Sequence, residues 1–352
     1  MDTGRVVNLS PRWRTFLKAG LILISLMLVG VGFFALSESL EDITLSGLTG
    51  LWLRQPVRFW LIWAGLNLLV ILFWAWRWGV ILQALGLPVS LKKRVFARLA
   101  GFGWSYFTPG PQIGGEPVQV YLVARDAQLP LSSVMTSVYL DRLIDGLTNF
   151  AVLAAGVLMI LFLDMEWAGG IRWLSLSTGL VLIVPVAHFL LLMRGETPLT
   201  RVLLKIRSTG NPFWIAVSHQ VILMESHLGD FAQQHTLTLI KAFLISVLSW
   251  LVSIGEFAWL LSGLSDPLSL LHMLRFLILA RFSFLLPVPA AVGIFESAMV
   301  FAAVSLGLSP VIGVALGLTI RIRDVLLGLI GVLISGSGSI RSLFHFKREV
   351  AK

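Results

Sequence analysis

The sequence predicts an all-α polytopic membrane protein, with about six full transmembrane helices, two re-entrant helical hairpins and an inverted internal repeat. Of its 352 residues, 57% are hydrophobic and only 13% are charged, whereas soluble chains carry about a quarter charged residues. The apolar runs are long and continuous, which disfavours a β-barrel. A set of prolines, glycines and charges also occurs twice within apolar sequence, which indicates the repeat.

Apolar runs of about 20 residues mark the membrane crossings, because a helix of that length spans the hydrocarbon core. The predicted spans are residues 18–36, 57–78, 132–163, 172–193, 238–262 and 310–338. The first run lacks a clear A-x-A cleavage site, so it is interpreted as an uncleaved anchor rather than a signal peptide.

Two further apolar stretches, residues 94–127 and 271–308, are broken by proline and glycine near their centres. Each is predicted to form a re-entrant hairpin, since non-helical backbone at membrane depth must be covered by protein or water. For residues 292–308, a full span is an alternative to a hairpin arm.

The distribution of Lys and Arg predicts the orientation. Basic segments before the first span, after the second and fourth spans and at the C-terminus alternate with acidic segments after the first and third spans. Both termini are therefore expected in the cytoplasm. The first hairpin would open to the cytoplasm and the second to the outside, so the repeats would have inverted topology.

The whole chain, residues 1–352, is interpreted as a single transmembrane domain. Repeat one covers about residues 57–163 and repeat two about residues 238–338. The intervening residues 194–237 are predicted to be cytoplasmic, and an Asn-Pro pair within them predicts the start of an interfacial helix.

The duplicated residues are the predicted substrate-binding site. The first copy contains Pro109, Pro111, Gly114, Gly115, Glu116, Arg142 and Asp145. The second contains Pro287, Pro289, Gly293, Glu296, Arg321 and Asp324. Copies of the same residue lie 178 to 180 positions apart. Charged residues are expensive in lipid and usually line a pathway, and many transporters place such sites between repeats.

The glycines before Glu116 predict a hairpin tip, with a helix that begins near Gly115 and Glu116. Free N–H groups at such an end attract anions. Three roles for Glu116 are open: a proton carrier, a cap for its own helix, or the partner of a membrane arginine such as Arg142 or Arg321.

Each Arg-x-x-Asp pair places opposite charges one turn apart on one helix face. Arginine suits bidentate binding of phosphate. Two interpretations are open: each arginine is neutralised by its own aspartate in a structural clamp, or Arg142 and Arg321 hold an anionic headgroup in a groove between the repeats. Asp145 and Asp324 would then orient the arginines. Glu116 and Glu296, near the hairpin tips, would gate access to the groove.

Arg77 and Glu256 occupy matched positions 179 residues apart. A salt bridge across the repeat interface and a snorkelling Arg77 are the two interpretations. Arg275 and Arg281 are expected to add positive potential near the second hairpin. Five tryptophans are predicted to form an interfacial belt: Trp60, Trp63, Trp74, Trp76 and Trp78.

Several function classes are disfavoured. The net charge of +9 is explained by the positive-inside rule and by contact with anionic lipid, so nucleic acid is not an expected partner. The absence of Cys excludes disulfides and thiol catalysis. Neither a metal-ligand spacing nor a nucleotide-binding motif is present, and no cofactor is expected.

The motif from Thr108 to Glu116 and Arg142-x-x-Asp145, with their second copies, resembles the lysylphosphatidylglycerol synthase transmembrane-region family, also called flippase-like membrane proteins. The resemblance covers about residues 15–338. It implies a bacterial or archaeal cytoplasmic-membrane protein that handles a lipid with a polar head. The chain lacks room for the soluble aminoacyl-transfer domain of some members, so synthase activity is not implied. Ala290 and Ala291 stand where the family pattern leads us to expect glycine.

The expected function is a lipid flippase or transporter, not an enzyme, that moves an anionic or phosphate-containing lipid by alternating access. Two alternatives are a membrane enzyme that acts on a lipid-linked phosphate and a non-transporting partner of a glycolipid or envelope pathway. A homo-oligomer and a lipid-modifying or glycosyltransferase partner are both open, since the glycine-rich final span can pack closely against another helix.

Overall fold

The computed structural model describes residues 44–108, 114–163, 235–285 and 291–349 continuously, together with isolated residues between 183 and 234. All regular secondary structure in these ranges is helical. The helices are α1 (Leu45–Leu53), α2 (Val57–Ala84), α3 (Leu91–Phe107), α4 (Glu116–Ala127), α5 (Leu131–Leu163), α6 (Thr236–Leu264), α7 (Leu270–Leu285), α8 (Ile294–Ser305) and α9 (Pro310–Glu349).

Three helices in the described ranges are long and apolar enough to cross a membrane: α2, α5 and α6. They contain 28, 33 and 29 residues, which gives lengths of about 42 to 50 Å. They correspond to the predicted spans 57–78, 132–163 and 238–262. Helix α9 begins where the last span was predicted, extends beyond its predicted end at 338, and is kinked at Gly336.

Both proline- and glycine-rich stretches are broken into two helices, as the sequence predicts. The second arms, α4 and α8, have 12 residues each. At about 18 Å they are too short to cross a core of about 30 Å, which favours a hairpin arm over a full span for residues 292–308. The arms contact each other: Phe284 and Phe295 have ring centroids 5.1 Å apart, and Gly115 packs on the backbone of Gly101.

The matched spans α2 and α6 pack against each other in antiparallel directions. Arg77 Nη1 on α2 donates to Ser246 Oγ on α6 over 3.1 Å. Asn67 Nδ2, earlier on α2, donates to Glu256 Oε1, later on α6, over 3.4 Å. Asn67 and Ser246 are 179 residues apart, as are Arg77 and Glu256. If each residue is replaced by its match in the other repeat, the Arg77–Ser246 contact becomes the Glu256–Asn67 contact. This two-fold relation between antiparallel helices is the one that an inverted repeat requires.

Each hairpin also contacts the long helix of the opposite repeat. Trp104 Nε1 on α3 donates to Ser335 Oγ on α9 over 3.0 Å. On the other side, Ile278 on α7 packs beside Gly156 on α5. The first arm of each hairpin thus packs on the long helix of the other repeat.

Several predictions lie outside the described residues. These are the span 18–36, most of the span 172–193, the interfacial helix within 194–237, and the hairpin-tip prolines Pro109, Pro111, Pro287 and Pro289.

Candidate functional site

A glutamate at the first turn of each short hairpin arm caps its own hairpin tip. Glu116 Oε2 accepts a hydrogen bond from the Gly114 N–H over 2.8 Å. Glu296 Oε2 accepts from the Gly293 N–H over the same 2.8 Å. In each case the carboxylate satisfies one of the backbone donors that a helix start leaves open. The predicted helix start at Gly115 and Glu116 is confirmed, because α4 begins at Glu116.

The second oxygen of each glutamate faces an arginine of the following long helix. Glu296 Oε1 accepts from Arg321 Nε over 2.7 Å, and Arg321 Nη1 also donates to Tyr106 Oη over 3.0 Å. Glu116 Oε1 lies 3.2 Å from Arg142 Nε, but Arg142 Nε is not aligned for a hydrogen bond. The Arg142 side chain is 35% exposed and that of Arg321 is 14% exposed. The first Glu–Arg pair is therefore the looser one.

Of the three roles considered for Glu116, the structure therefore supports two at once: helix cap and arginine partner. Glu296 has the same two sets of contacts. Tyr106 was not identified from the sequence. It belongs to the first hairpin yet contacts Arg321 of the second repeat, so it links the two halves of the site. Its position two residues before Thr108 was the only signal in the sequence.

The structural clamp, one of the two interpretations of the Arg-x-x-Asp spacing, is not supported by the ion pairs of the two aspartates. Asp145 Oδ1 pairs instead with Arg77 Nη1 over 2.6 Å, and Asp324 Oδ1 pairs with Arg323 Nη2 over 2.9 Å. Residues three apart on a helix are still separated by about 60° around its axis. That separation lets each arginine turn to a hairpin tip while its aspartate faces another cation.

A buried ionic cluster joins the helices of the first repeat. Arg77 Nε lies 2.9 Å from Asp141 Oδ1, and Arg98 of α3 pairs with the other oxygen of Asp141. The Arg77 and Asp141 side chains are 2% and 0% exposed. Two arginines and two aspartates, with Asp145 as the fourth member, thus tie α2, α3 and α5 together.

The second repeat has a matching cluster with a different distribution of charge. Arg323 Nη1 donates to Glu256 Oε1 over 3.0 Å and to Asn67 Oδ1 over 2.9 Å. Trp63 Nε1 donates to the same Glu256 oxygen over 2.6 Å. The position that is Arg77 in repeat one is thus an acid, Glu256, in repeat two, and its main partner is a cation.

These clusters bear on two interpretations from the sequence. Arg77 and Glu256 do not pair with each other, because each has partners within its own cluster. Two of the five tryptophans predicted for the interfacial belt have polar partners inside the protein. Trp63 bonds to Glu256, and Trp78 is fully buried with its Nε1 donating to Ser137 Oγ over 3.1 Å.

The tip glycines are placed where other residues would not fit well. Gly114 and Gly293 have φ of 142° and 80°, which L-residues rarely adopt. A Cβ on Gly115 would collide with the carbonyl of Gly101. Ala291, at a position where the family pattern suggests glycine, has a φ of 53°. The second tip therefore keeps a left-handed turn but builds it on alanine, at a cost of about 1 to 2 kcal/mol.

The chain is similar in sequence to two archaeal membrane proteins. Over 132 residues the chain is 27% identical to a UPF0104 membrane protein of Methanothermobacter thermautotrophicus, covering 36% of this chain and 37% of that protein. Over 96 residues it is 30% identical to a UPF0104 membrane protein of Pyrococcus horikoshii, covering 27% of this chain and 29% of that protein. The matches therefore span about a third of each relative.

The family model described as "Lysylphosphatidylglycerol synthase TM region" matches residues 8–331. That range contains the predicted repeats almost entirely, both hairpins and every member of the two ionic clusters. It also agrees with the resemblance seen in the motifs. This chain is a multi-pass integral membrane protein that belongs to the lysylphosphatidylglycerol synthase transmembrane-region family.

Proposed function

We propose that this protein is a lipid flippase. It moves an anionic lipid, either a phospholipid or a polyprenyl-phosphate-linked lipid, across the cytoplasmic membrane of its cell by alternating access. The observation that carries the proposal is the pair of Glu–Arg contacts at the two hairpin tips, Glu116 with Arg142 and Glu296 with Arg321. Both arginines lie in apolar helices and are held by a carboxylate, which a phosphate resembles in charge and geometry.

In this mechanism a phosphate replaces the glutamate on each arginine. The glutamate keeps its hydrogen bond to Gly114 or Gly293, so the hairpin tip stays capped while the arginine changes partner. Arg142 is the first to exchange, because its contact with Glu116 is longer and more exposed than that of Arg321 with Glu296. The acyl or prenyl chains remain in lipid throughout.

The aspartates have a structural role in this proposal. Asp145 and Asp324 hold Arg77 and Arg323, and so fix the frame in which Arg142 and Arg321 move. We further propose cytoplasmic termini, from the distribution of Lys and Arg, and transport without any covalent change to the lipid. We propose no cofactor for this transport.

Headgroup accessibility in proteoliposomes tests the proposal. Purified protein is reconstituted with fluorescent phosphatidylglycerol, phosphatidylcholine or a polyprenyl phosphate, and a membrane-impermeant quencher reports movement between leaflets. We expect movement of a phosphate lipid that slows at least about tenfold in Arg142→Ala and Arg321→Ala, because a charge-assisted hydrogen bond contributes about 1.5 to 3 kcal/mol. Arg125→Ala is the matched control, since Arg125 is exposed at the end of α4.

Three results would contradict the flippase or its proposed mechanism. Equal movement in the wild type and in both arginine variants would remove the Glu–Arg contacts from the mechanism. A lipid product of altered mass would indicate an enzyme. An absence of movement from folded wild-type protein, with and without a pH gradient, would favour a non-transporting partner of a glycolipid or envelope pathway.

A further inference from the structure

Arg281 on α7 differs from the arginines of the two ionic clusters and of the two Glu–Arg contacts. Arg77, Arg98, Arg142, Arg321 and Arg323 each pair with a carboxylate. Within the part of the chain that the structure describes, Arg281 forms neither an ion pair nor a hydrogen bond. Its contact is with Trp250, whose ring centroid lies 4.5 Å from the guanidinium carbon. A guanidinium carries five N–H donors, and none of those of Arg281 has an acceptor among the described residues.

The carboxylates near Arg281 are already bonded to other cations. Glu256, Asp145 and Asp324 act on Arg281 only at longer range. Glu256 and Asp324 both pair with Arg323, and Asp145 pairs with Arg77. An arginine in apolar surroundings without a hydrogen-bonded partner is expensive. An anion that brings its own acceptor oxygens would satisfy Arg281 without breaking either cluster.

Arg281 lines a cavity of about 200 Å³ between α5, α6 and α7. The rest of the wall is apolar apart from the indole of Trp250, and includes Val152, Met159, Ile254 and Ile278. An apolar cavity of about 150 Å³ is large enough to take up benzene. This cavity therefore has room for the first segment of a hydrocarbon chain, next to one unmatched set of cationic donors.

The matched position in the other half of the molecule is closed. Ile278 and Val152 line the cavity, and the residues 179 positions from them are Leu99 and Gly331. There α3 and α9 touch backbone to backbone, so that a Cβ on Gly331 would collide with the Leu99 carbonyl. Between α5 and α7 the matched positions carry Val152 and Ile278, and both side chains line the cavity. The opening is therefore a consequence of the sequence on one side of the molecule.

We propose that Arg281 and this cavity form an entry site for an anionic lipid that carries a terminal, unsubstituted phosphate near its hydrocarbon chains. The phosphate binds the Arg281 guanidinium, and the first carbons of one chain occupy the cavity between α5 and α7. That this site supplies Arg142 and Arg321 rests on the proposed flippase function. Binding itself does not, and it can be measured without transport.

The test measures binding of dioleoyl phosphatidic acid to the purified protein in nanodiscs of zwitterionic lipid, by native mass spectrometry and by thermal shift. Dioleoylglycerol has the same chains without phosphate, and inorganic phosphate has the charge without chains. We expect phosphatidic acid to bind and raise the melting temperature, and neither fragment to do so. Arg281→Ala should weaken phosphatidic acid binding at least tenfold, whereas Arg125→Ala should leave it unchanged.

Two further variants keep the test valid if Arg281→Ala does not fold. Arg281→Lys retains the charge but not the planar fork, and should bind with intermediate affinity. Ala155→Phe fills the cavity without touching the charge, and should weaken phosphatidic acid binding as well. Wild-type binding of dioleoylglycerol or inorganic phosphate as tight as that of phosphatidic acid would overturn the proposal. So would unchanged binding in Arg281→Ala, or in both Arg281→Lys and Ala155→Phe.

These outcomes separate the two proposals. Arg281-dependent binding in a protein that moves no lipid would leave the entry site standing and remove the flippase. If lipid movement depends on Arg142 but phosphatidic acid binding is unchanged in Arg281→Ala, the flippase proposal stands and the entry site is contradicted.

Discussion

Glu116 and Glu296 each bind the backbone of their own hairpin and an arginine of the next long helix. These two contacts use different oxygens of the same carboxylate. A change of partner at the arginine therefore need not disturb the hairpin tip. At the scale of single residues, the proposed exchange of partners depends on this separation.

The buried cluster of the first repeat predicts a sharp difference between two neighbouring aspartates. Asp141 is fully buried and binds both Arg77 and Arg98, whereas the Asp145 side chain is 39% exposed. Asp141→Asn leaves two buried cations poorly compensated and should destabilise the protein by about 3 to 5 kcal/mol. Asp145→Asn should cost clearly less. Unfolding in mixed detergent micelles measures both.

The control for this comparison is Asp266→Asn, at an exposed loop position, which should change stability by no more than about 0.5 kcal/mol. If Asp141→Asn and Asp266→Asn unfold at the same detergent fraction, the cluster does not stabilise the fold.

At the scale of helices, the two hairpins pack differently on the opposite repeats. Glycines allow α3 and α9 to touch through their backbones, with Gly103 and Gly331 at the closest points. Between α7 and α5 the corresponding positions carry larger side chains and enclose a cavity. One hairpin is thus held tightly against the opposite repeat, while the other has space beside it.

A matched pair of glycine substitutions tests the tight contact. Gly331→Ala places a methyl group against the Leu99 carbonyl and should destabilise by about 1 to 3 kcal/mol, as overpacking does. Gly255→Ala is also helical, but no atom lies within 4 Å of its new methyl group. It should be neutral or stabilising by up to about 1 kcal/mol. Melting temperatures of both variants test this prediction. Equal changes in stability would mean that α3 and α9 are not in close contact.

At the scale of the whole molecule, the antiparallel contact between α2 and α6 relates the two repeats. Arg77 contacts Ser246 and Asn67 contacts Glu256. The two contacts are made by matched pairs of residues, so they are equivalent under the symmetry of the repeat. If both helices cross the membrane, equivalent loops must lie on opposite sides of it.

Single cysteines test this topology directly, because the natural chain contains none. Ser90 and Ser269 are exposed, lie immediately before the first arm of each hairpin and are 179 residues apart. In intact cells a membrane-impermeant maleimide should label Ser269→Cys, whereas Ser90→Cys should react only after permeabilisation. Serine to cysteine changes one atom, so the wild-type fold is expected for both. Labelling of both from the same side would indicate parallel repeats.

Composition and spacing were sufficient for the class of protein, the long helices α2, α5 and α6, the break in each hairpin and the duplicated charges. These depend on local properties: the length of an apolar run, the missing N–H of proline and the free φ of glycine. The helix start at Glu116 was predictable for the same reason. The partners of the charges were not. Helical spacing left open whether Arg142 pairs with Asp145 and Arg321 with Asp324, and the structure pairs both aspartates with other arginines.

Only the tertiary structure decided those partners, because an ion pair in a membrane protein forms with whichever opposite charge the packing of other helices brings closest. Asp145 meets Arg77 from α2, and Glu256 meets Arg323 from α9. Tyr106 reaches Arg321 across 215 positions of the chain. Among the described residues Arg281 contacts the Trp250 ring but has no carboxylate partner. That arrangement and the cavity beside it also depend on how three helices meet, which no local pattern in the sequence records.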